Sequence, residues 1–525
     1  MPTVEQWTIN RLLETVVPYL KEKGSSSPRL DAELLLAAAL GVERIDLYLQ
    51  FDRPLTPGEL ASYRALVARR AAREPVAYIL GRAYFRHLCL EVGPGVLIPR
   101  PETEELVEVA LEVLRRRPPL GRPAAADVGT GSGAIALSLA QEAGIRVLAT
   151  DRSPEALAVA VRNAERLGLS HLVDFRQLDL LGLAPPVEPG DAGICAPKAG
   201  GIPPGSLHLV VSNPPYVAQP DLATLAPDVR DFEPLAALDG GPDGLEVFRR
   251  LVPEAARALA PGGTLLLEVG AGQAAAVVEL ASQAGFALTA VHKDLSRKER
   301  IVEATMPGAH SITPDSLDGV SLEALRAALA AGAIIGVPTD TVYGLAARWD
   351  SSAGVRRLFL AKGRPPEQPI AVLFPSVAAI REAIPDLQPK AISVLEALLP
   401  GPYTFIVATR VERPPHVGTE DSLGVRVPDH LSLLGFLSGL GVPLAATSAN
   451  LSGRPPAATL SEVDPVLLAH CSVAIAELPG AAVSPVGIAS TVVDLRPLSR
   501  GEPPVILREG AVTASEVLAR IQGVS

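Results

Sequence analysis

Four short strings in this sequence hold the residue types that do chemistry. Asp127-Val128-Gly129-Thr130-Gly131-Ser132-Gly133 is a glycine-rich run whose missing side chains let a nucleotide-type cofactor lie against backbone N–H groups. Asn213-Pro214-Pro215-Tyr216 offers an amide that donates and accepts, a carbonyl before proline with no companion N–H, and an aromatic face. Together these can grip a planar amide or amino group and aim its nitrogen at an electrophile. Lys362-Gly363-Arg364 presents two cations to a triphosphate, and Thr447-Ser448-Ala449-Asn450 adds hydroxyls and an amide. Each pair joins a nucleotide-handling string to a substrate-handling one at a separation natural for one domain. The chain therefore reads as a fusion of two enzymes.

Singly, each string has an ordinary explanation. With Ala134 in last place the glycine run also satisfies a loose dinucleotide fingerprint, so nicotinamide and S-adenosylmethionine both stay open; no Walker lysine follows it, which disfavours a nucleoside triphosphate. An isolated Asn-Pro-Pro is usually a turn, and an isolated Lys-Gly-Arg is usually solvated surface. What changes the weighing is placement on elements.

From Ala124 the pattern runs strand, glycine-rich turn, helix, strand. Arg146 to Thr150 forms a short buried strand ending at Asp151, placed to accept from ribose hydroxyls, and Leu207 to Ser212 and Gly263 to Val269 form further strands. Asn213 thus stands at a strand's carboxyl end, where such sheets bind ligands. Before this, residues up to about Gly81 read as short amphipathic helices punctuated by Pro28, Pro54, Pro57 and Pro75. Through Leu90 they carry 12 Lys/Arg against 10 Asp/Glu, which favours a protein-docking module over a DNA clamp. Gly182 to Ser206 holds six prolines and six glycines and is expected to be a mobile insertion. A break at Met306 to Pro314 marks a linker, after which Leu322 to Leu329 restarts a helix. Ala333 to Val337, Ile370 to Phe374, Phe405 to Ala408 and Val483 to Asp494 then suggest a second α/β domain. Arg426 falls in the apolar run Gly424 to Pro428, so a carboxylate partner is expected for it.

The 525 residues suffice for about three domains, and 47 basic against 58 acidic residues disfavour a protein that coats nucleic acid. Cys89, Cys195 and Cys471 lack metal-ligand spacing, so no metal site is expected, and a reducing cytoplasm is. The longest apolar run, Ala327 to Val337, is too short to span a bilayer, and Met1 to Arg11 lacks the shape of a signal peptide. A soluble cytoplasmic protein without a membrane partner is expected.

Taken with Val96 to Glu104, Phe232-Glu233-Pro234, Asp239 to Leu245, and Glu268-Val269-Gly270 with Gln273, the first two strings resemble the PrmC (HemK) family from the N-terminus to about Ala304. The resemblance implies S-adenosylmethionine-dependent methylation of the glutamine side-chain amide in the Gly-Gly-Gln motif of class I peptide release factors. It implies cofactor contacts from Asp127, Gly129, Thr130, Gly131, Ser132, Gly133, Asp151, Asp179, Leu180 and Asn213, and a catalytic set of Asn213, Pro214, Pro215 and Tyr216. Leu180 stands where some relatives place an aromatic beside adenine. The helical module would help dock the release factor. The contrasting reading is a DNA adenine methyltransferase acting on a flipped base.

Gly336 to Leu345, Lys362-Gly363-Arg364, Gly424 to Pro428, Thr447 to Gly453 and Ser490 to Asp494 resemble the YrdC/TsaC family from about Thr313 onward. That implies a threonylcarbamoyl-adenylate synthase using L-threonine, bicarbonate and ATP with Mg²⁺, its product passing to tRNA-modification machinery, with weak tRNA contact admitted. Thr341, Arg426 and Ser490 would meet threonine, while Lys362, Arg364, Ser448, Asn450 and Arg508 would meet ATP or the adenylate. Gln368 holds a place often taken by asparagine, where an ATP contact falls, and Leu399 one where tryptophan is frequent. The contrast here is a module that binds RNA or nucleotide without synthesis.

The implied fold class is α/β: an N-terminal helical domain (1–82), a doubly wound class I (Rossmann-like) methyltransferase sheet (83–305, with 182–206 inserted), a linker (306–318), and a YrdC-like twisted α/β domain (319–525).

Overall fold

The computed structural model of the chain describes residues 6–117, 125–183, 202–294, 296–313, 317, 319–365, 368–451, 453–476 and 487–524. Most of the proline- and glycine-rich insertion (184–201), parts of the linker (314–316 and 318) and residues 483–486 of the last expected strand lie outside the described residues.

The N-terminal helices Ile9–Glu22, Pro28–Leu40, Arg44–Leu49, Pro57–Ala71 and Val76–Leu80 form where capping residues and apolar periodicity agree. Thr56 and Glu59 close a reciprocal capping box at the fourth, and left-handed Gly41 and Gly81 terminate the second and fifth. Their apolar faces meet in one core that includes Ile9, Leu20, Leu35, Leu36 and Leu47. Arg70 is buried and bonds Asp31 at 2.7 Å. Arg70 and Arg73 also reach Asp228 of the next domain, at 3.5 and 2.9 Å.

Strands β1 (Arg82–Phe85) and β2 (Leu88–Glu91) form a hairpin. Then β3 (Ala125–Val128), β4 (Val147–Asp151), β5 (Val173–Gln177), β6 (Leu207–Ser212), β7 (Leu259–Glu268), β8 (Leu288–Lys293) and β9 (Glu299–Thr305) build one sheet in the order 5-4-3-6-7-9-8. Its first five members are parallel, and β9 runs antiparallel to both β7 and β8. β3 is buried throughout and β6 nearly so, as a sheet covered on both faces requires. The order reverses between β3 and β6, so a crevice opens at their carboxyl ends, where the glycine loop and Asn213 are found. The described ends of the insertion are anchored, since Leu183 and Ile202 are buried in the core beneath β6 and β7.

The second sheet comprises β10 (His310–Ile312), β11 (Ile334–Val337), β12 (Gly344–Arg348), β13 (Ala371–Leu373), β14 (Tyr403–Ala408), β15 (Ser422–Arg426), β16 (Leu444–Ser448), β17 (Val473–Ile475), β18 (Thr491–Asp494) and β19 (Val505–Arg508). They lie in the mixed order 10-17-11-12-16-13-15-14-18-19. The segment read as linker from its Pro and Gly content thus supplies β10, which pairs in parallel with β17. Three residues cannot show a strand period, so pairing alone makes this element.

The halves meet through Arg117, at the end of the helix Pro101–Arg116. Its guanidinium donates to the carbonyls of Gly262 (3.0 Å) and Cys471 (3.2 Å) and also to that of Ala469. Gly308 N–H donates to the Pro465 carbonyl at 2.7 Å, and the Ser472 hydroxyl donates to the Arg116 carbonyl. Arg117→Ala leaves three junction carbonyls without this donor, at about 1–3 kcal/mol for each that stays buried. Calorimetry is expected to show the halves unfolding together in the native chain and in two separated transitions in the variant.

Candidate active sites

The first site is built on a buried carboxylate. Asp127, the third residue of β3, accepts from the Thr130 hydroxyl (2.7 Å) and the Ala136 N–H (3.0 Å), which ties the glycine loop to the first turn of the helix Ala134–Ala143. Burial raises its pKa to about 7. Gly129 and Thr130 donate their N–H groups to the Thr150 carbonyl at 2.8 and 2.9 Å, so the loop folds back over β4. This reversal needs positive φ, and Gly129 and Gly133 have it at 75° and 86°. Asp151, ending β4, accepts from Gly131 N–H and Ser153 N–H, both at 2.9 Å.

A cavity of about 190 Å³ sits against this loop, lined among others by Gly129, Gly131, Asp151, Asp179, Leu180, Asn213, Pro214 and Pro215. Eight of the residues expected at this site are therefore brought to one space. Asp127, Thr130, Ser132 and Gly133 are not on its wall: the first two hold the loop from behind, and Gly133 packs its backbone against Leu137 and Ala160. Tyr216 is also set back, its ring in the core beneath β7 and its hydroxyl 3.4 Å from Glu268. Burial raises its phenol to about 12. Asp179 pairs with Arg250, a wall residue that the sequence strings did not single out. Thr103 and Glu268 were noticed only as parts of longer motifs, yet the Thr103 hydroxyl lies 3.0 Å from the Asn213 amide nitrogen and 2.7 Å from the Glu268 carboxylate.

Gln273 fixes the far side, donating to the carbonyls of Tyr216 (2.9 Å) and Gly244 (3.3 Å) and accepting from Gly270 N–H (2.9 Å). Gly244 has a φ of 76°, and a Cβ there would collide with the Tyr216 carbonyl. Only glycine lets this loop close on Asn213-Pro214-Pro215-Tyr216.

The second site gathers cations. The helix Ser352–Lys362 ends at left-handed Gly363, which sends Lys362 inward and lets Arg364 turn to the cavity. Lys362 is buried, and its Nζ donates to Thr447 Oγ1, the Ser448 carbonyl and Ser448 Oγ, each at 2.8 Å, and reaches Asn450 Oδ1 at 3.4 Å. Burial, with Arg364 and Arg508 nearby, lowers its pKa to about 7. Arg364 donates to the Gln368 (2.8 Å) and Pro369 (3.1 Å) carbonyls, so Gln368 is engaged through its backbone. Arg426, ending β15, has the carboxylate partner its apolar setting demanded: Asp340, with Thr341 Oγ1 at 2.7 Å. Arg508 donates to the Ser490 carbonyl at 2.9 Å, and the Ser490 hydroxyl meets Thr404 at 2.8 Å.

Strands β16, β13, β15, β14, β18 and β19 are successive neighbours, which carries these distant strings to one cavity of about 310 Å³. Arg364, Arg426, Ser448, Ser490 and Arg508 line it; Lys362, Thr341, Gln368 and Asn450 are not on its wall, Lys362 and Thr341 being buried and Gln368 exposed. Arg496, which sequence reasoning passed over, also lines it and bonds Asp494 at 2.8 Å. It lies two residues beyond the Ser490 to Asp494 string, and the pairing of β18 with β14 brings it here.

An open α/β sheet with a glycine loop at its switch point, followed by a second α/β domain with a cationic cavity, defines a two-site transferase class. Family models divide the chain in the same way. One described as "PrmC N-terminal domain" matches residues 11–81, one described as "Methyltransferase domain" matches 125–212, and the Sua5/YciO/YrdC one, described as "Telomere recombination", matches 327–510. A release factor glutamine methyltransferase of Geobacter sulfurreducens is 45% identical over 300 residues, covering 57% of this chain and 96% of the relative. That of Rhodopirellula baltica is 39% identical over 300 residues, covering 56% and 95%. Through its first half the chain belongs to the release factor glutamine methyltransferase family, and a Sua5/YciO/YrdC domain follows in the same chain. Among solved structures, P. abyssi Sua5 complexed with L-threonine is 27% identical with a TM-score of 0.34. That match covers 41% of this chain and 60% of the other, so the chain spans less than two thirds of that protein. Among the described residues no helix is long and apolar enough to cross a membrane.

The depressed Lys362 ammonium gives a direct readout. Near pH 8 it is mostly neutral, and an anion seated beside it favours the charged form. Pyrophosphate binding is therefore expected to take up a sizeable fraction of a proton at pH 8, seen by calorimetry in buffers of different ionisation enthalpy, and Lys362→Met is expected to remove that uptake.

Proposed function

We propose that the chain is a bifunctional translation-maintenance enzyme, each half working at the cavity described for it. The first half methylates the side-chain amide nitrogen of the glutamine in the Gly-Gly-Gln motif of class I peptide release factors. The observation that carries this is the seating of Asn213-Pro214-Pro215 on the same cavity as Gly129, Gly131 and Asp151. The residues suit S-adenosylmethionine: a left-handed glycine loop offers close backbone approach, and a carboxylate ends β4. When bound, that cofactor supplies an electrophilic methyl group. Gly129, Gly131, Asp151, Asp179 and Leu180 hold it, while Asp127 and Thr130 keep the loop in shape.

The Asn213 Oδ1 and the Pro214 carbonyl accept the two N–H bonds of the glutamine amide, which fixes the nitrogen in line for attack. An amide nitrogen is a poor nucleophile, so this orientation is the main contribution, and positioning can supply roughly 7–11 kcal/mol in favourable cases. The N-terminal helical domain (1–82) docks the release factor.

The second half joins L-threonine, bicarbonate and ATP into threonylcarbamoyl-AMP for tRNA threonylcarbamoyladenosine modification, with Mg²⁺ adding positive charge at the phosphates. The threonine amine takes up the carbon of bicarbonate with loss of water. A carbamate oxygen then bonds to the α-phosphorus as the bond to the β-phosphate oxygen breaks and pyrophosphate leaves. Arg364 and Arg508 face the phosphates, with Lys362 behind Ser448; Ser448 faces the adenylate, steadied by Asn450; and Arg426 and Ser490 face the threonine, with Thr341 bonded to Arg426. Fixed guanidinium groups at a half-buried cavity stabilise the charge that develops on the departing group.

Labelled S-adenosylmethionine offered with a release factor, its Gly-Gly-Gln glutamine→alanine variant and duplex DNA is expected to label the intact factor alone; label on DNA would replace this reading with a DNA methyltransferase. Asn213→Ala is expected to lower kcat/KM for methyl transfer by about 1–3 kcal/mol of transition-state stabilisation, from loss of the one acceptor that Asn213 Oδ1 supplies. For the second half, pyrophosphate release is expected to need both threonine and bicarbonate and to fall at least tenfold in Arg364→Gln. Release without threonine, or none at saturating ATP and Mg²⁺, would leave a nucleotide-binding module.

A further inference from the structure

Behind Asn213 lies a chain of hydrogen bonds that ends on a buried carboxylate. Thr103, near the start of the helix Pro101–Arg116, is 4% exposed, and Glu268, the last residue of β7, is 1% exposed. The Thr103 hydroxyl donates to Glu268 Oε2 at 2.7 Å, and the Asn213 Nδ2 donates to Thr103 Oγ1 at 3.0 Å. The Tyr216 hydroxyl donates to Glu268 Oε1 at 3.4 Å. Among the described residues no hydrogen-bond donor from the protein is recorded for Asn213 Oδ1, and Asn213 lines the cavity.

The directions follow from what each group can do. An ionised carboxylate only accepts, so the single Thr103 proton points to Glu268. The Thr103 oxygen is then left with lone pairs toward Asn213 and can only accept. That requires the NH₂ end of the Asn213 amide on the Thr103 side and the oxygen end on the other. Were Glu268 protonated, its own O–H could donate to Thr103, the threonine proton could turn to Asn213, and the amide would be free to present NH₂ instead.

We propose that Glu268, acting through the Thr103 hydroxyl, sets which end of the Asn213 amide faces the acceptor, and so selects for an acceptor nitrogen that donates hydrogen bonds. Thr103 and Glu268 are positioning residues, and the inference rests on the reading of the first half as a glutamine-amide methyltransferase. A carboxamide –NH₂ meets an accepting oxygen and is held, whereas a group that can only accept is turned away.

The device carries a pH dependence whose sign is fixed. Glu268 faces Thr103 and Glu102 from the helix Pro101–Arg116, Tyr216 from the loop after β6, and Arg300 from β9. Burial raises its pKa to about 7, with the Thr103 and Tyr216 hydrogen bonds, the Glu102 charge and the Arg300 charge as smaller influences. The orienting form is the ionised one, so turnover is lost as pH falls through about 7.

The test uses the full chain with an intact release factor, measuring kcat and KM for methyl transfer between pH 6 and 9, with S-adenosylmethionine binding measured separately. Thr103→Val is expected to lower kcat at least tenfold while cofactor affinity stays within about threefold, and Thr103→Ser to recover most of the loss, because only the hydroxyl is needed. Glu268→Gln keeps an accepting oxygen but cannot titrate, so its kcat, although reduced, is expected to be flat where the native enzyme declines. Near-native kcat in Thr103→Val, equal impairment in Thr103→Ser, or the native acid decline persisting in Glu268→Gln would each overturn the relay. Failure of the native chain to label the release factor would instead remove the reading on which the relay rests.

Discussion

Both halves are organised around ionisable groups that the fold withdraws from water near the ends of its strands and helices. Asp127, Glu268, Lys362, Arg426 and Asp340 are each less than 10% exposed. A charge in such a place is tolerated only if its neighbours satisfy it, so each one dictates the conformation around it. Asp127 needs the Thr130 hydroxyl and the Ala136 N–H, and in taking them it shapes the glycine loop. Lys362 needs oxygens from Thr447, Ser448 and Asn450, and in taking them it locks a helix end to a strand end. Arg426 and Asp340 satisfy one another, and that pair brings the loop after β11 over the end of β15. The cavity walls are thus the visible side of networks whose main demands come from burial.

This explains what was legible in the sequence and what was not. The glycine loop, Asn213 and the Lys362–Arg364 pair could be read because each sits in a short string whose local geometry is set by glycine or proline. β6 could be bounded to the residue because Leu207 to Ser212 is a nearly unbroken buried run with proline following. Arg426 could even be assigned a carboxylate, since an apolar strand cannot host a bare guanidinium, although nothing local identified Asp340. Thr103 and Arg496, by contrast, earn their places only through partners 165 residues away in one case and through the β14–β18 pairing in the other. Long-range register of this kind leaves no local trace.

The segment read as linker shows the same limit from another side. Its proline and glycine content lies between the first sheet and most of the second, yet His310 to Ile312 joins the second sheet because an open edge at β17 offers backbone partners. An edge strand presents unpaired N–H and C=O groups, and covering it with the connecting chain satisfies them without an extra element. The connection therefore acts as part of the fold it leads into.

The direction of the first sheet settles how two enzymes share one chain without obstruction. Arg117 reaches Gly262, and Gly308 follows Thr305, the residue of β9 paired with Thr264 of β7, which is level through Leu209 with Ala125, the first residue of β3. The junction is thus at the amino ends of the parallel strands. Asn213, Glu268 and the glycine loop are all at the carboxyl ends. The helix Pro101–Arg116 spans the distance, with Thr103 against Asn213 at one end and Arg117 just past the other, a separation of roughly 20 Å at 1.5 Å per residue. Asp228, in the segment after β6, pairs with Arg73 of the N-terminal helices, while the second domain contacts the opposite, amino end of the strands. Placing the fusion point at the amino end keeps the second domain away from the cavity at Asn213.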